Sequence, residues 1–176
     1  MLLIPDPSAL LTTLSDQTYI GAYVPHNLVL MSDIHRLKYA MYLNNDAYEA
    51  LKKMIDAMPN EIANDFYVKE AYTSFTDLQY SNPNLAGKDE RQLGHTVSIA
   101  SKSIAYHEFE TAALSQWLEA HSYEYGFILR YPKRMASSTN HVYDAHYYRY
   151  VGKKNANKIY KENSCIEEYN QKEAAE

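Results

Sequence analysis

The chain has 176 residues with 22 acidic and 17 basic side chains, so its formal charge is −5 when histidine is neutral. A chain of this length with 46% hydrophobic residues can bury a core without disulfides or metals, and we predict one domain, residues 1–176. The acidic balance argues against contacts along a phosphate backbone, so no nucleic-acid partner is expected. The single cysteine, Cys165, excludes an internal disulfide and any zinc site built on a pair of cysteines.

The N-terminal stretch carries no targeting pattern. It reads MLLIPDPSALLTTL, lacks basic residues, and has Pro5, Asp6 and Pro7 inside its apolar run. A signal peptide and a membrane span both need an uninterrupted apolar segment, so we expect neither. The sequence therefore predicts a soluble chain without a membrane-spanning segment. Either the protein is intracellular, or an export segment has been removed from it, and we favour the second alternative.

The first regular element is a helix predicted over NNDAYEALKKMIDAMP. Asp46 is placed to cap it, Leu51 and Met54 lie on an apolar face of helical period, and Pro59 ends it. The next stretch, DFYVKEAYTS, alternates apolar with polar or small residues. That two-residue period predicts a half-buried strand.

A turn-rich segment containing Pro83 and Gly87 leads into RQLGHTVSIAS, whose alternation predicts a second strand. From His107 to Tyr125 the apolar residues recur with a helical period, which predicts one continuous helix that ends at Gly126.

Two aromatic-rich segments, GFILRYP and VYDAHYYRYV, predict two further strands. The polar C-terminus has a helical pattern, in which Ser164 and Glu167 match a capping box. Helices combined with a small antiparallel sheet place the chain in the α+β class, as a small antiparallel sheet with flanking helices.

Several of these segments together resemble one enzyme family. WLEAHSYEYGFILRYP followed by DAHYYRYVG is similar to the closing half of VanY-type D-alanyl-D-alanine carboxypeptidases, the zinc peptidases of bacterial cell walls. ERQLGHTVSI resembles the family segment Ser-x-His-x-x-Gly-x-Ala-x-Asp, EAYTSF resembles Ser-Gly-Tyr-Arg-Ser, and YVPHNLVLM resembles the family's entrance segment. The resemblance covers roughly residues 20–170 and implies one domain with the hedgehog/DD-peptidase-like fold.

The resemblance also assigns roles to positions. In the family, a His and an Asp of the first motif and a His of a closing Glu-Pro-Trp-His motif hold zinc, while the Glu is the general base. The zinc-ligand positions are occupied here by Arg91, Ser98 and Tyr147, and the general-base position by Asp144. Thr73 replaces the arginine that grips the substrate carboxylate. A guanidinium donates hydrogen bonds only and cannot ligate a metal, so we expect neither zinc nor any other cofactor and no catalytic residue.

The charge at position 91 leads to a structural hypothesis. We expect Arg91 to lie where zinc would lie and to pair with Asp144, with the hydroxyls of Ser98 and Tyr147 beside the pair. In the alternative, Arg91 extends its head group to solvent and Asp144 is solvated.

A relocated metal site is the enzymatic alternative. His141, Asp144 and His146 have spacing that metal ligands can use, and His95 is near in sequence. Asp144 and His146 would share one face of a strand, with His141 on the other unless a bulge intervenes. On this reading the chain is an active D,D- or L,D-carboxypeptidase that trims peptidoglycan stem peptides.

The leading interpretation is a pseudoenzyme, a non-catalytic domain that keeps the fold and binds a peptidoglycan stem peptide, another cell-wall fragment or a protein partner. A groove for such a ligand would be lined or flanked by tyrosines, for which ordinary strand packing is the alternative. The candidate ligand-binding residues are Thr73, Gln92, Tyr143, Tyr148 and Arg149. The resemblance also implies a bacterial source and a location in the cell envelope or outside the cell.

Overall fold

The structure is a computed structural model that describes residues 2–3, 6–15 and 17–175. Its strands are β1 (Leu2–Leu3), β2 (Thr18–Tyr19), β3 (Leu28–Leu30), β4 (Tyr42–Asn44), β5 (Phe66–Glu70), β6 (Thr96–Ser101), β7 (Phe127–Tyr131) and β8 (Asp144–Tyr150). Its α-helices are α1 (Asn45–Asp56), α2 (Asn60–Asp65), α3 (Phe75–Ser81), α4 (Ala113–His121), α5 (Ala136–Thr139), α6 (Lys153–Lys161) and α7 (Ile166–Glu173). Every helix in these ranges is too short or too polar to cross a bilayer.

The central feature is a four-stranded sheet with the order β5-β6-β8-β7, in which all neighbours are antiparallel. Strands β1 and β2 form a short parallel pair, and β3 and β4 form an antiparallel pair. The predicted α+β class, a small antiparallel sheet with flanking helices, is confirmed.

One face of the four-stranded sheet belongs to the main hydrophobic core. Val68, Val97, Ile99 and Tyr148 are almost completely buried in it, together with the inner face of α1. Because side chains alternate along a strand, the residues between them point to the opposite face, which is largely polar. This polar face carries the candidate site.

The cap of α1 differs from the prediction. The side chain of Asn44 accepts the backbone N–H of Asp46 at 3.0 Å, so Asn44 is the N-cap and Asp46 lies in the first turn. The predicted apolar face is confirmed, because Leu51 and Met54 are fully buried. Pro59 ends this segment and is also the N-cap residue of α2.

The continuous helix predicted from His107 to Tyr125 is wrong. A 3-10 segment, Tyr106–Thr111, is followed by α4 and by a second 3-10 segment, Ser122–Tyr125. Ala112 separates the first two with an extended backbone (φ −68°, ψ 143°), which an apolar period cannot reveal. Gly126 then reverses the chain into β7 with φ of 92°.

The predicted C-terminal capping box is also wrong. The N-cap of α7 is Cys165, which makes no side-chain cap bond, and the hydroxyl of Ser164 is buried without a hydrogen-bond partner in the described residues. Burial of Cys165 and Ile166 against the rest of the molecule therefore determines where α7 begins.

Candidate functional site

A cavity of about 330 Å³ opens on the polar face of the sheet, where β7 and β8 meet the segment before β6. Its wall is formed by aromatic and charged side chains and by residues of the loop that precedes β8. Its lining residues are Leu14, Ser15, Leu85, Lys88, Asp89, Glu90, Arg91, Tyr131, Thr139, Asn140, His141, Asp144 and Tyr147. Three of the four positions that the resemblance singles out, all except Ser98, therefore meet here.

Arg91 is held by two carboxylates. It lies in the 3-10 turn Glu90–Leu93, whose N-cap is Asp89, and its Nη2 donates to Asp89 Oδ2 at 2.6 Å. Its Nη1 donates to Glu70 Oε2 at 2.8 Å. Burial disfavours the charged form, but the two carboxylates outweigh it and raise the pKa of Arg91. The guanidinium is therefore a permanent cation at this position.

The predicted pairing of Arg91 with Asp144 is wrong. Asp89 lies two residues before Arg91 on the same turn, and Glu70 ends β5 beside it, so these carboxylates occupy the guanidinium. The alternative in which Arg91 extends to solvent is wrong as well, since 16% of its side chain is exposed.

Tyr147 joins the same cluster. Its hydroxyl donates to Glu70 Oε2 at 2.7 Å, the oxygen that also receives Arg91. In the sheet register Glu70 is opposite Ser98, and Ser98 is opposite Tyr147, so the three residues form one row across β5, β6 and β8. Ser98 is fully buried in the middle of this row, and its small side chain lets its two neighbours meet. Burial and Glu70 raise the pKa of the Tyr147 phenol, although Arg91 lowers it.

Asp144 reaches the cavity because of a bulge. Tyr131 pairs with Asp144, and Leu129 pairs with Tyr148. Two steps along β7 therefore correspond to four steps along β8. The extra residues on β8 place Asp144 and Tyr147 at one cavity. Asp144 Oδ1 accepts the backbone N–H of His146 at 2.9 Å. Within the described residues the carboxylate has no basic partner.

A second charge network lies behind the cavity wall. Arg130, which is 1% exposed, donates from Nε and Nη2 to Glu90 and also binds Glu167. Arg149 Nη1 donates to Oε2 of Glu90 at 3.3 Å, an oxygen that Arg130 Nε also contacts. Burial works against the charged form of Glu90, yet the two arginines lower the pKa of this carboxyl. Because Glu90 is the first residue of the Glu90–Leu93 turn, its ion pairs with Arg130 and Arg149 fix the turn that carries Arg91.

The candidate ligand-binding residues do not line this cavity. Gln92 is fully buried, accepts the N–H of Gly87 and donates to two backbone carbonyls, so it is a structural clamp. Tyr148 lies in the main core and Arg149 in the buried network. Thr73 bonds to the carbonyl of Ala71, and the hydroxyl of Tyr143 lies 3.4 Å from Glu119. The cavity-lining residues Lys88 and Tyr131 were not among the candidates.

The structure does not assemble the relocated metal site. Both ring nitrogens of His146 face backbone carbonyls, those of Ile99 and Tyr106. The ring of His141 stacks on Tyr131 at the cavity. The described residues contain no group of three or more His, Cys, Asp or Glu side chains that could hold a metal ion.

Glu70 and Asp89 are the functional side chains that sequence reasoning missed. A charge change was the available signal, because Glu70 stands where the resembled segment Ser-Gly-Tyr-Arg-Ser begins with serine. A new carboxylate and a new guanidinium in two motifs of one site are the expected mark of an ion pair. Because Arg91 is a donor only and is held by two carboxylates, the residues at these positions do not fit zinc.

Comparison with solved structures places this geometry in a known fold. The LD-carboxypeptidase LdcB, whose structure was described for its peptidoglycan recognition, superposes with a TM-score of 0.86 and 27% identity over 97% of this chain and 90% of that chain. This chain has the VanY-type carboxypeptidase fold. VanYB in complex with D-alanine-D-alanine superposes with a TM-score of 0.73 and 24% identity, covering 92% of this chain and 97% of VanYB.

Sequence comparisons agree with the VanY-type assignment. The family described as VanY, D-alanyl-D-alanine carboxypeptidase, matches residues 76–153. YodJ of Bacillus subtilis (strain 168), which is assigned as a carboxypeptidase, is 28% identical over 96% of this chain and 70% of its own length. A D-alanyl-D-alanine carboxypeptidase of Enterococcus faecalis is 34% identical over 69% of this chain. The chain spans 44% of that enterococcal relative.

Proposed function

We propose that this chain is a metal-free, non-catalytic VanY-type domain of the bacterial cell envelope that binds a peptide in the cavity between Arg91 and Asp144. One observation carries the proposal. The position of the family's first zinc-binding histidine holds a guanidinium that is already bound to Glu70 and Asp89. A cation on the protein replaces the dication.

Electrostatics argues against zinc as a bound cofactor here. Any zinc at this point would lie beside a permanently protonated guanidinium and would lack imidazole donors. Loss of a single outer partner of a zinc ligand typically costs about 10- to 100-fold in affinity. Replacement of all three ligands is a far larger change, so no tight zinc binding is expected.

The general-base position supports the same proposal. Asp144 reaches the cavity, but a site without zinc ligands would supply no metal-bound water for it to deprotonate. A carboxylate that is no longer used for proton transfer can serve as a binding group. The proposal therefore assigns this domain a binding function and no turnover.

The structural neighbours indicate the ligand class. VanYB binds D-alanine-D-alanine, and LdcB was described for peptidoglycan recognition. A stem peptide or a fragment of one is the ligand that the shared fold favours, and a protein segment is the competing ligand. The same relatives support a location in the bacterial envelope or outside the cell.

The test measures metal content and turnover together. The purified protein, dialysed with zinc and then against buffer, should contain far less than one zinc per chain, and it should release no D-alanine from a muramyl pentapeptide or tetrapeptide. The expected result is the same with and without a chelator. Near-stoichiometric zinc, or D-alanine release that a chelator abolishes, would overturn the proposal.

A further inference from the structure

Two side chains in the cavity wall carry charges that no other described residue neutralises. Asp89 pairs with Arg91, and Glu90 pairs with the buried arginines behind it. Lys88 and Asp144 line the same cavity, and neither has an ion pair among the described residues. Among the described residues, the cavity therefore presents the ammonium group of Lys88 and the carboxylate of Asp144 to a ligand.

We propose that the cavity recognises a free zwitterionic dipeptide, whose ammonium group binds Asp144 and whose carboxylate binds Lys88. This inference rests on the proposed function and specifies its ligand. It distinguishes a short peptide with both termini free from a stem peptide that remains attached to the glycan through its N-terminus.

The ammonium end follows from the surroundings of Asp144. One of its oxygens accepts a backbone N–H, which leaves the other for a ligand donor. The ring of Tyr147 lines the same space. An ammonium group beside a carboxylate and an aromatic ring is attracted by both.

The position of the ligand carboxylate follows from the neutralised charge of Arg91. Its Nε, Nη1 and Nη2 all donate to Asp89 or Glu70, and two carboxylates surround its single positive charge. An incoming carboxylate would meet net negative charge there. Lys88 is the cavity cation without such partners, and Thr73 does not reach the cavity.

The size of the cavity limits the length of the ligand. Its volume of about 330 Å³ lies at the lower end of the range of roughly 300–1,000 Å³ that is usual for small-molecule sites. Such a space suits one or two residues. D-alanine-D-alanine, the ligand bound to VanYB, is itself a zwitterion of this size.

Calorimetric titration with chemically matched dipeptides tests the proposal. The probes are D-alanyl-D-alanine, its N-acetyl derivative and its C-terminal amide, with the L,L series beside them. We expect the free dipeptide of one of the two series, D,D or L,L, to bind. Its N-acetyl derivative and its amide, which each lack one terminal charge, should bind about tenfold more weakly or worse, as expected for loss of a charge-assisted hydrogen bond.

Two variants assign each end of the ligand. Asp144→Asn should bind free and N-acetylated dipeptide equally, and Lys88→Met should bind free dipeptide and amide equally. Asp56→Asn and Lys53→Met, which change exposed residues of α1 far along the chain, should behave as wild type. Thermal unfolding of each variant shows that it is folded.

Other outcomes overturn the inference. If the N-acetylated dipeptide binds as tightly as the free one, Asp144 does not recognise an ammonium group. If no free dipeptide of either series binds, or if binding needs a longer acylated stem peptide, the zwitterion assignment is wrong. None of these results changes the zinc content or the D-alanine release, so the proposed function is tested independently of the dipeptide assignment.

Discussion

The Nη1 atom of Arg91 lies 2.8 Å from Oε2 of Glu70, although 21 positions separate them in the sequence. Each residue departs from the resembled family pattern, and each supplies the charge that the other needs. A half-buried guanidinium alone would lose hydration without recovering it, and so would the carboxylate. Under the proposed function, this pair stands where the resembled peptidases bind zinc.

Removal of Arg91 should destabilise the domain. Arg91→Met leaves Glu70 and Asp89 facing each other without a cation, and we expect the free energy of unfolding to fall by about 2–4 kcal/mol. Urea denaturation monitored by circular dichroism measures the change. The matched control is Lys52→Met, which removes a surface ion pair with Glu49 and should change the free energy of unfolding much less.

A double variant separates this ion pair from general packing. Glu70→Gln should be less damaging in the Arg91→Met background than in the wild type, because the carboxylate it removes is already without its cation there. Equal cost in both backgrounds would show that the two side chains do not interact. An unchanged midpoint for Arg91→Met would refute the role of the cluster in stability.

Burial of His95 should make the domain less stable in mild acid. Burial, with a smaller contribution from Arg149, lowers the pKa of this imidazole from 6.5 to about 3. The folded state therefore holds it neutral, while the unfolded chain takes up a proton below about pH 6.5. Stability is fully present above that pH and is lost as the pH falls, by up to about 1.4 kcal/mol for each pH unit.

Chemical denaturation at pH 7 and pH 5 measures this effect. The expected loss between the two is about 2 kcal/mol, and His95→Gln should reduce it, whereas the exposed His107 should not matter when it is changed to Gln. Equal stability of the wild type at both pH values would contradict the prediction. Carboxylates with ordinary or lowered pKa values stay ionised over this window and do not mimic the effect.

The sequence predicted the sheet better than the site. Strands β5, β6, β7 and β8 were recognised because alternation and aromatic content are local properties. The helical period from His107 onward could not show that Ala112 is extended. The bulge that brings Asp144 to the cavity depends on pairing with β7, so regular alternation along β8 could not predict it.

The partners of Arg91 also depend on tertiary structure. The row of Glu70, Ser98 and Tyr147 exists because β5, β6 and β8 pair in one register. The family motifs marked Arg91, Ser98 and Tyr147 as zinc-ligand positions and also cover Glu70, but they do not show that Glu70 contacts Arg91. Two opposite charges on separate segments predict an ion pair only when the contact between the two segments is already known.

Restoring the ligands should restore zinc binding. Three changes, Arg91→His, Ser98→Asp and Tyr147→His, supply the family's donors on the existing backbone. A fourth, Glu70→Ser, removes one of the two carboxylates that Arg91 neutralises in the wild type. We expect about one zinc per chain after dialysis, with a rise in melting temperature that a chelator reverses.

The control for this design has the same composition but the wrong geometry. Replacing Tyr150 instead of Tyr147 by histidine puts the third donor beside Phe127, on the core face of the sheet. That variant should not retain zinc. If both variants retain it equally, or if neither does, then positions 91, 98 and 147 do not correspond to the zinc ligands of the family.

The N-terminal segment should control access to the cavity. Arg149 donates to the carbonyls of Leu10 and Thr12, and Asn170 Nδ2 donates to the carbonyl of Leu11 at 2.9 Å. These bonds hold the chain just before Leu14 and Ser15, which line the cavity. Asn170→Ala removes one anchor and leaves the charged cavity residues in place.

We expect Asn170→Ala to loosen this segment without unfolding the domain. Amide hydrogen exchange of residues 10–15 should become about tenfold faster or more, while β6 and β8 keep wild-type protection, because local opening is governed by local contacts. Dipeptide binding should weaken in parallel, since part of the cavity wall becomes mobile. Asn157→Ala, on the neighbouring helix α6 and bonded to Lys153 and Tyr123, is the matched control. Unchanged exchange at residues 10–15 would show that Asn170 does not anchor the segment, and faster exchange with wild-type dipeptide affinity would show that the segment is not part of the binding wall.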